Sequence, residues 1–178
     1  MTDRDALARR IFDASHLTGT FTLRSGAVSD EYFDKYLFEG QPELLRAVAA
    51  AMVELLPTEV QVLAGMEMGG IPIATVMSQL TGLPTVFVRK AAKEYGTQKA
   101  AEGGEVAGLR VVAIEDVVTT GGALLHGCAE LRRLGASLDV VVCAIDRDQG
   151  GSENLGAEGI QLLSALTRSD LEAAAERR

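Results

Sequence analysis

The sequence has no tryptophan, and aromatic residues make up only 4% of its 178 residues. Histidine and cysteine are also scarce, with two residues of each type, and two histidines exclude a histidine-rich metal site. Cys128 and Cys143 fall in apolar helix and strand patterns, which predicts buried core residues in a reducing compartment. No apolar stretch approaches the roughly 20 residues that span a bilayer, so no membrane partner is expected.

Positive charge is the other shortage. The chain has 17 lysines and arginines against 25 acidic residues, for a formal net charge of -8. Such a chain is not expected to bind nucleic acid. No apolar segment follows residues 1–5, so no signal peptide is predicted and the expected location is cytoplasmic. The length predicts one domain over residues 1–178.

From residue 60 onward, short β-branched apolar runs alternate with segments of helical spacing. This pattern predicts an α/β fold, with a central, mostly parallel sheet and helices on both faces. The predicted strands cover 60–64, 85–88, 109–114, 140–145 and 160–163. A hairpin is predicted at 21–24 and 31–34, and helices at Thr2, at Pro42 and at a capping box over 169–172.

Polar residues follow four of the predicted strands, at positions 65–67, 89–90, 115–116 and 146–147. Because ligands of such sheets bind at the carboxyl ends of the strands, we expect these residues to form one site.

Residues 111–123 have the most informative pattern. A buried strand leads to Glu115 and Asp116, then to Thr119, Thr120 and two glycines, and then to a helix. Free N–H groups at a helix N-terminus bind phosphate, whereas a carboxylate pair suits neighbouring sugar hydroxyls. The glycines alone fit an ordinary turn. The adjacent acids favour a site for a phosphorylated ribose, since they are costly after a buried strand unless a ligand uses them.

This segment resembles the 5-phosphoribosyl 1-diphosphate (PRPP) motif of type I phosphoribosyltransferases. The resemblance implies that fold, with residues 1–40 as a small N-terminal hood. It also implies that Glu115 and Asp116 hold the ribose hydroxyls. The residues implied to hold the 5′-phosphate are Val117, Val118, Thr119, Thr120, Gly121, Gly122 and Ala123. The motif does not identify the base that is transferred.

Basic residues gather at 89–99 of this acidic chain, where a solvated loop is the simpler interpretation. A long irregular stretch in a compact domain is more typical of a functional lid. The segment resembles the catalytic loop of orotate phosphoribosyltransferases. That resemblance implies a homodimer whose 89–104 loop reaches the neighbouring site, with Arg89, Lys90, Lys93 and Tyr95 on PRPP and Lys93 catalytic. Tyr95 stands where some members have histidine.

Three further segments resemble the same family. Residues 20–34 resemble its hood, which implies orotate contacts from Arg24, Tyr32 and Phe33. Residues 146–151 resemble its second orotate segment, which implies that Arg147 binds the ring carboxylate. The resemblance of the 111–123 motif implies that Thr119 also lies near the base. A surface ion pair is the alternative for Arg147. Residues 65–72 resemble the loop that holds diphosphate, with Gly69 where some members have lysine.

Together these resemblances imply transfer of 5-phosphoribose from PRPP to orotate in pyrimidine synthesis. They imply Glu115 and Asp116 as catalytic residues beside Lys93, and Mg²⁺ held through PRPP without a direct protein ligand. Two alternatives stay open. A transferase for a purine or uracil would keep residues 111–123 without needing Arg147 as a carboxylate clamp. A PRPP-sensing regulator would also keep them, but would need a further binding segment.

Overall fold

The computed structural model describes residues 3–22, 26–90 and 101–176. Arg24, Lys93 and Tyr95, three of the predicted site residues, lie outside the described residues. The elements run in the order α1 (Arg4–Ser15), β1 (His16–Thr22), β2 (Val28–Phe33), α2 (Lys35–Glu39), α3 (Pro42–Val53), β3 (Val62–Met66), α4 (Gly70–Thr81), β4 (Thr85–Val88), β5 (Ala101–Glu102), β6 (Arg110–Val118), α5 (Gly122–Arg133), β7 (Ser137–Asp146), α6 (Gly151–Ala157), β8 (Gln161–Thr167) and α7 (Arg168–Glu176).

The main sheet has the strand order β5-β4-β3-β6-β7-β8. Strands β4, β3, β6, β7 and β8 are parallel, and the two-residue β5 pairs with β4 in the antiparallel direction. The predicted fold class is therefore confirmed. The strand order reverses between β3 and β6, and open sheets of this kind bind ligands at such a reversal.

Both faces of the sheet are buried, because successive residues of each central strand point to opposite sides. Val112 and Ile114 of β6 belong to a core cluster with α1, α2, α3, α4 and α7. Val111 and Ala113 belong to a second cluster with α5 and α6. Cys128 and Cys143 lie in this second cluster as free, buried thiols, which confirms their predicted burial.

The predicted hairpin is present as the antiparallel pair β1 and β2. Strand β1 begins at His16 rather than at Phe21, because the chain turns directly from α1 into an extended residue at the helix C-cap. Asp34 then caps α2 by accepting a hydrogen bond from the Tyr36 N–H over 3.1 Å. The short helix α2 was not predicted, since its five residues show no period.

Strand β6 is longer than predicted. It continues to Val118 because Glu115 pairs with Cys143 of β7 and Val117 with Ile145, so the two acids lie within the strand. The cap of α7 also differs from the prediction. Asp170 bonds to the N–H and hydroxyl of Thr167 at 2.7 and 2.9 Å, which places the capping interaction two residues before the predicted Ser169–Glu172 box.

Within the three described ranges, no helix has the length and apolar character needed to cross a membrane.

Candidate active site

A cavity of about 310 Å³ opens where the strand order reverses. Its walls come from the carboxyl ends of β3, β4 and β6, from α2 and from the start of α5. The predicted PRPP residues among its lining are Arg89, Lys90, Glu115, Asp116, Val117, Thr119 and Ala123. Glu67, from the predicted 65–72 loop, also lines the cavity, as does Lys35, which was not predicted.

The two acids occupy different environments although they are adjacent. The Asp116 side chain is only 1% exposed, whereas Glu115 is partly exposed. Backbone N–H groups orient both carboxylates. The Val117 N–H donates to Asp116 Oδ1 over 2.5 Å, and the Asp116 N–H donates to Glu115 Oε1 over 3.0 Å. The acids are thus fixed by their own strand.

Two ionisable side chains of helix α2, those of Lys35 and Glu39, lie beside Asp116. Lys35 Nζ lies 2.5 Å from Asp116 Oδ2. One turn later Glu39 is 8% exposed, and its Oε1 has no hydrogen-bond donor among the described residues. A proton on Glu39 removes this deficit, since the protonated carboxyl can donate to Asp116. The N-terminal region therefore contributes to the same site as the sheet.

The pKa values of the three carboxyl groups diverge. Burial opposes ionisation of Asp116, but hydrogen bonds from Glu115 and Lys35 outweigh it and lower its pKa. Burial, the Asp116 charge and a hydrogen bond with Asp116 raise the pKa of Glu39 to about 8. Burial and a hydrogen bond with Asp116 raise the pKa of Glu115 well above its usual range. The negative charge therefore concentrates on Asp116.

The loop between β6 and α5 presents the features of an anion site. Thr119 and Thr120 are exposed, and Gly121 has a φ of +77°, a backbone conformation that favours glycine. Gly122 begins α5, so the first N–H groups of that helix face the loop without intrahelical acceptors. Val118, by contrast, is buried in the core.

Helix α6 supports this loop from the other side. The Asn154 side-chain amide donates to the Thr120 carbonyl over 2.9 Å. A Cβ on Gly151 would lie 2.6 Å from the Thr119 carbonyl oxygen, so only glycine allows this approach. Neither Asn154 nor α6 was predicted. The adjacent Gly150 and Gly151 were the available signal, since glycines often mark a close backbone approach.

Glu67 fixes the residues at the end of β4. Its Oε2 accepts a hydrogen bond from the Lys90 N–H over 2.9 Å, and its own N–H donates to the Val88 carbonyl over 2.9 Å. Arg89 Nε lies 3.7 Å from Glu102 Oε1 on β5. Arg89 and Lys90 are thereby held at the cavity wall, where cations suit a polyphosphate.

A second cavity of about 700 Å³ lies between β2, the end of β7 and α7. It contains Tyr32, Phe33 and Arg147, three of the predicted orotate residues. The Arg147 guanidinium carbon is 5.7 Å from the centre of the Phe33 ring, and the Arg147 N–H donates to the Val118 carbonyl over 2.9 Å. Thr119, another of the five predicted orotate residues, lines the first cavity instead, one residue beyond Val118.

Known proteins resemble both the sequence and this arrangement. Residues 38–155 match the phosphoribosyl transferase domain family. An orotate phosphoribosyltransferase of Nocardioides sp. is 54% identical over 176 residues, which cover 99% of this chain and 98% of that protein. The chain belongs to the orotate phosphoribosyltransferase family.

Solved structures of family members share the fold. The Mycobacterium tuberculosis orotate phosphoribosyltransferase in complex with Fe(III) dicitrate has a TM-score of 0.86 at 32% identity and covers 94% of this chain and 98% of its own. The same enzyme in complex with PRPP has a TM-score of 0.82 at 28% identity, with 95% and 98% covered. The type I phosphoribosyltransferase fold expected from residues 111–123 is thus confirmed.

The family position that holds lysine in some members is closed in this chain. Gly69 is the N-cap of α4, and a Cβ built on it overlaps the Asp116 carboxylate. The next residue, Gly70, packs as closely against the Ile114 carbonyl. Any side chain at 69 would displace Asp116. The positive charge beside this carboxylate comes from Lys35.

The raised pKa of Glu39 predicts a pH-dependent stability difference. Between about pH 4.5 and 8 the folded protein keeps a proton that the unfolded chain releases, so rising pH favours unfolding. The groups around Glu39 are Asp116, Lys35 and Asp34. We expect Glu39→Gln to gain stability over the wild type as pH rises through this window, by at most about 1.4 kcal/mol per pH unit. Urea unfolding at several pH values measures the difference, and parallel stability curves would contradict it.

Proposed function

We propose that the protein transfers the 5-phosphoribosyl group from PRPP to orotate, giving orotidine 5′-monophosphate and diphosphate, in pyrimidine synthesis. The observation that carries this proposal is the junction of a carboxylate pair and a helix N-terminus at the strand reversal, beside a cavity that contains an arginine. The relatives named above support it, and one of them was solved with PRPP bound.

The two ends of PRPP fit different parts of the first cavity. Ribose hydroxyls donate to Asp116 and Glu115, and the 5′-phosphate accepts from the Thr119–Gly122 backbone and the threonine hydroxyls. Val117, Val118 and Ala123 complete this loop. The Asp116 carboxylate, which carries the negative charge, also favours the positive charge that develops at the anomeric carbon as its bond to diphosphate breaks. Arg89 and Lys90 lie on the wall where the diphosphate would leave.

Mg²⁺ fits this site, because carboxylate and hydroxyl oxygens surround the cavity and this ion prefers oxygen ligands and retained waters. In the proposal it is carried by the diphosphate of PRPP, without a direct protein ligand, and neutralises part of the diphosphate charge.

Orotate enters from the second cavity. In the proposal Arg147 binds its carboxylate in a fork geometry, with Tyr32 and Phe33 beside it in this cavity. Thr119 would approach the ring from the first cavity, and the resemblance to the family adds Arg24. The orotate nitrogen forms the new bond to the anomeric carbon as the bond to diphosphate breaks, and its proton passes to the departing diphosphate. The cation–π contact between Arg147 and Phe33 supports a shared role for these two residues.

The proposed assembly is a cytoplasmic homodimer in which residues 89–104 reach the neighbouring site. Three apolar side chains near the first cavity support this assembly, because exposed apolar patches often mark protein–protein contacts. They are Tyr36, Leu37 and Met68, which are 46%, 38% and 55% exposed.

The test is diphosphate release from PRPP and Mg²⁺, with orotate and with a panel of other bases. Diphosphate release with orotate, and with no other base of the panel, supports the proposal. Release only with uracil or a purine would keep the PRPP site and overturn the assignment of Arg147. PRPP binding without release for any base would favour a PRPP-sensing regulator instead.

Lys93→Ala is expected mainly to lower kcat, by about 100-fold or more, because this cation stabilises charge that builds only as diphosphate departs. Arg46→Ala, which removes an exposed cation from α3, is the control. Steady-state kinetics at saturating PRPP and orotate measure the effect. An unchanged kcat would remove Lys93 from the catalytic residues.

A further inference from the structure

Lys35 is held in a defined position at the start of α2. Asp34 caps this helix through the Tyr36 N–H, so the backbone of Lys35 is fixed between the hairpin and the helix. Its side chain extends across the first cavity to β6, where Nζ lies 2.5 Å from Asp116 Oδ2. The Lys35 side chain is 33% exposed, whereas that of Asp116 is 1% exposed. The ammonium thus joins a buried carboxylate to the open part of the cavity.

The surroundings of Asp116 make such a cation necessary. Glu39 and Glu115 both lie next to Asp116. Asp116 and Glu39 are buried, and Glu115 is partly exposed. Buried like charges oppose one another's ionisation, and one cation can stabilise one of the three. Lys35 contacts Asp116 directly, so it favours the charged form of this group over those of Glu39 and Glu115.

No other described cation at the cavity occupies this position. Arg89 pairs with Glu102, and the backbone of Lys90 is bound by Glu67 on the opposite wall. The connection from β3 to α4 cannot supply a cation, because a side chain on Gly69 would overlap Asp116. The cation beside Asp116 therefore comes from the N-terminal hood, residues 1–40, rather than from the loops that follow β3 and β4.

We propose that Lys35 is a positioning residue for PRPP, which acts by holding Asp116 ionised and oriented toward the ribose hydroxyls. This inference rests on the proposed function, since it assigns ribose to Asp116. An ionised carboxylate accepts hydrogen bonds from two neighbouring hydroxyls, whereas a protonated one spends an oxygen as a donor. Without Lys35, a proton from Glu39 or Glu115 would move onto Asp116 and weaken its hydrogen bonds to ribose.

The experiment measures PRPP binding by calorimetry in the presence of Mg²⁺ and without a base, together with steady-state kinetics. The variants are Lys35→Met, Lys35→Arg, Asp116→Asn and the double variant Lys35→Met with Asp116→Asn. Arg46→Met, an exposed cation on α3, is the matched control. Thermal unfolding of every variant reports its stability separately.

We expect Lys35→Met to raise the Kd for PRPP by about 10- to 100-fold, the scale of one hydrogen bond to a charged group. The KM for orotate should not change. Lys35→Arg should recover most of the affinity, and the double variant should bind PRPP no worse than Asp116→Asn. Such non-additivity is expected only when the two residues act as a unit.

Equal PRPP affinity of Lys35→Met and wild type would overturn the inference, as would additive losses in the double variant. Poor binding by Lys35→Arg would also overturn it, because charge alone would then not suffice. A wild-type protein that fails to bind PRPP would instead refute the proposed function, so the two failures are distinguishable.

Discussion

Gly69→Ala is expected to reduce kcat/KM for PRPP by about 100-fold or more, because a single methyl group displaces the Asp116 carboxylate. The backbone at Gly69 has φ -70° and ψ -28°, which any residue adopts, so alanine adds no backbone strain. The whole effect comes from the overlap of the new Cβ with Asp116. Stability should fall by about 1–3 kcal/mol, as for other overpacked sites.

The control is Gly156→Ala, which makes the same chemical change in helix α6. A Cβ at Gly156 meets no atom within 4 Å, so this variant should keep its activity. It should also gain about 0.5–1 kcal/mol from the higher helix propensity of alanine. Steady-state kinetics and urea unfolding of both variants separate the two effects. An unchanged kcat/KM for PRPP in Gly69→Ala would show that Asp116 does not bind substrate in its present position.

Arg147→Leu is expected to raise the KM for orotate by about 100-fold or more, since losing one member of a buried charge pair costs about 2–5 kcal/mol. The Arg147 Nε is buried and makes no hydrogen bond to any described residue, which leaves it available to a ligand. The Kd for PRPP should not change, because the Arg147 side chain lies outside the first cavity.

Arg168→Leu is the matched control, since Arg168 lines the same cavity from α7. Its guanidinium already bonds to Glu172 over 2.6 Å. Orotate kinetics should therefore show a raised KM only for Arg147→Leu, and calorimetry should show an unchanged Kd for PRPP in both variants. If Arg168→Leu gave the larger rise in the KM for orotate, the carboxylate site would lie at α7 and the assignment of Arg147 would be wrong.

The sheet could be predicted from the sequence because each parallel strand is a short β-branched run between turn residues. The pattern of residues 111–123 also indicated the family, and its position at the carboxyl ends of the strands followed from the predicted topology. The predicted end of β6 was wrong, since pairing with β7 carries the strand through Glu115 and Asp116. That pairing is a tertiary interaction, which local sequence does not record.

Lys35, Glu39 and Asn154 were missed for a related reason. Each lies on a helix of five or seven residues, which is too short to show a hydrophobic period. Each also contacts a distant part of the chain. Asn154 bonds to a residue 34 positions away, and Lys35 and Glu39 lie beside Asp116, more than 70 positions away. The predicted capping box of α7 was wrong for a different reason. Ser169 and Glu172 have the right spacing, but Thr167 already bonds to Asp170.

The length of β6 has a consequence for how tightly a sugar can be held. Glu115 and Val117 are both paired with β7, so the backbone that carries Asp116 is fixed before any substrate arrives. Ordering one residue from a mobile loop costs roughly 1–2 kcal/mol of conformational entropy. Because the strand already holds the backbone of Asp116, this ordering cost does not offset the free energy of the hydrogen bonds to ribose.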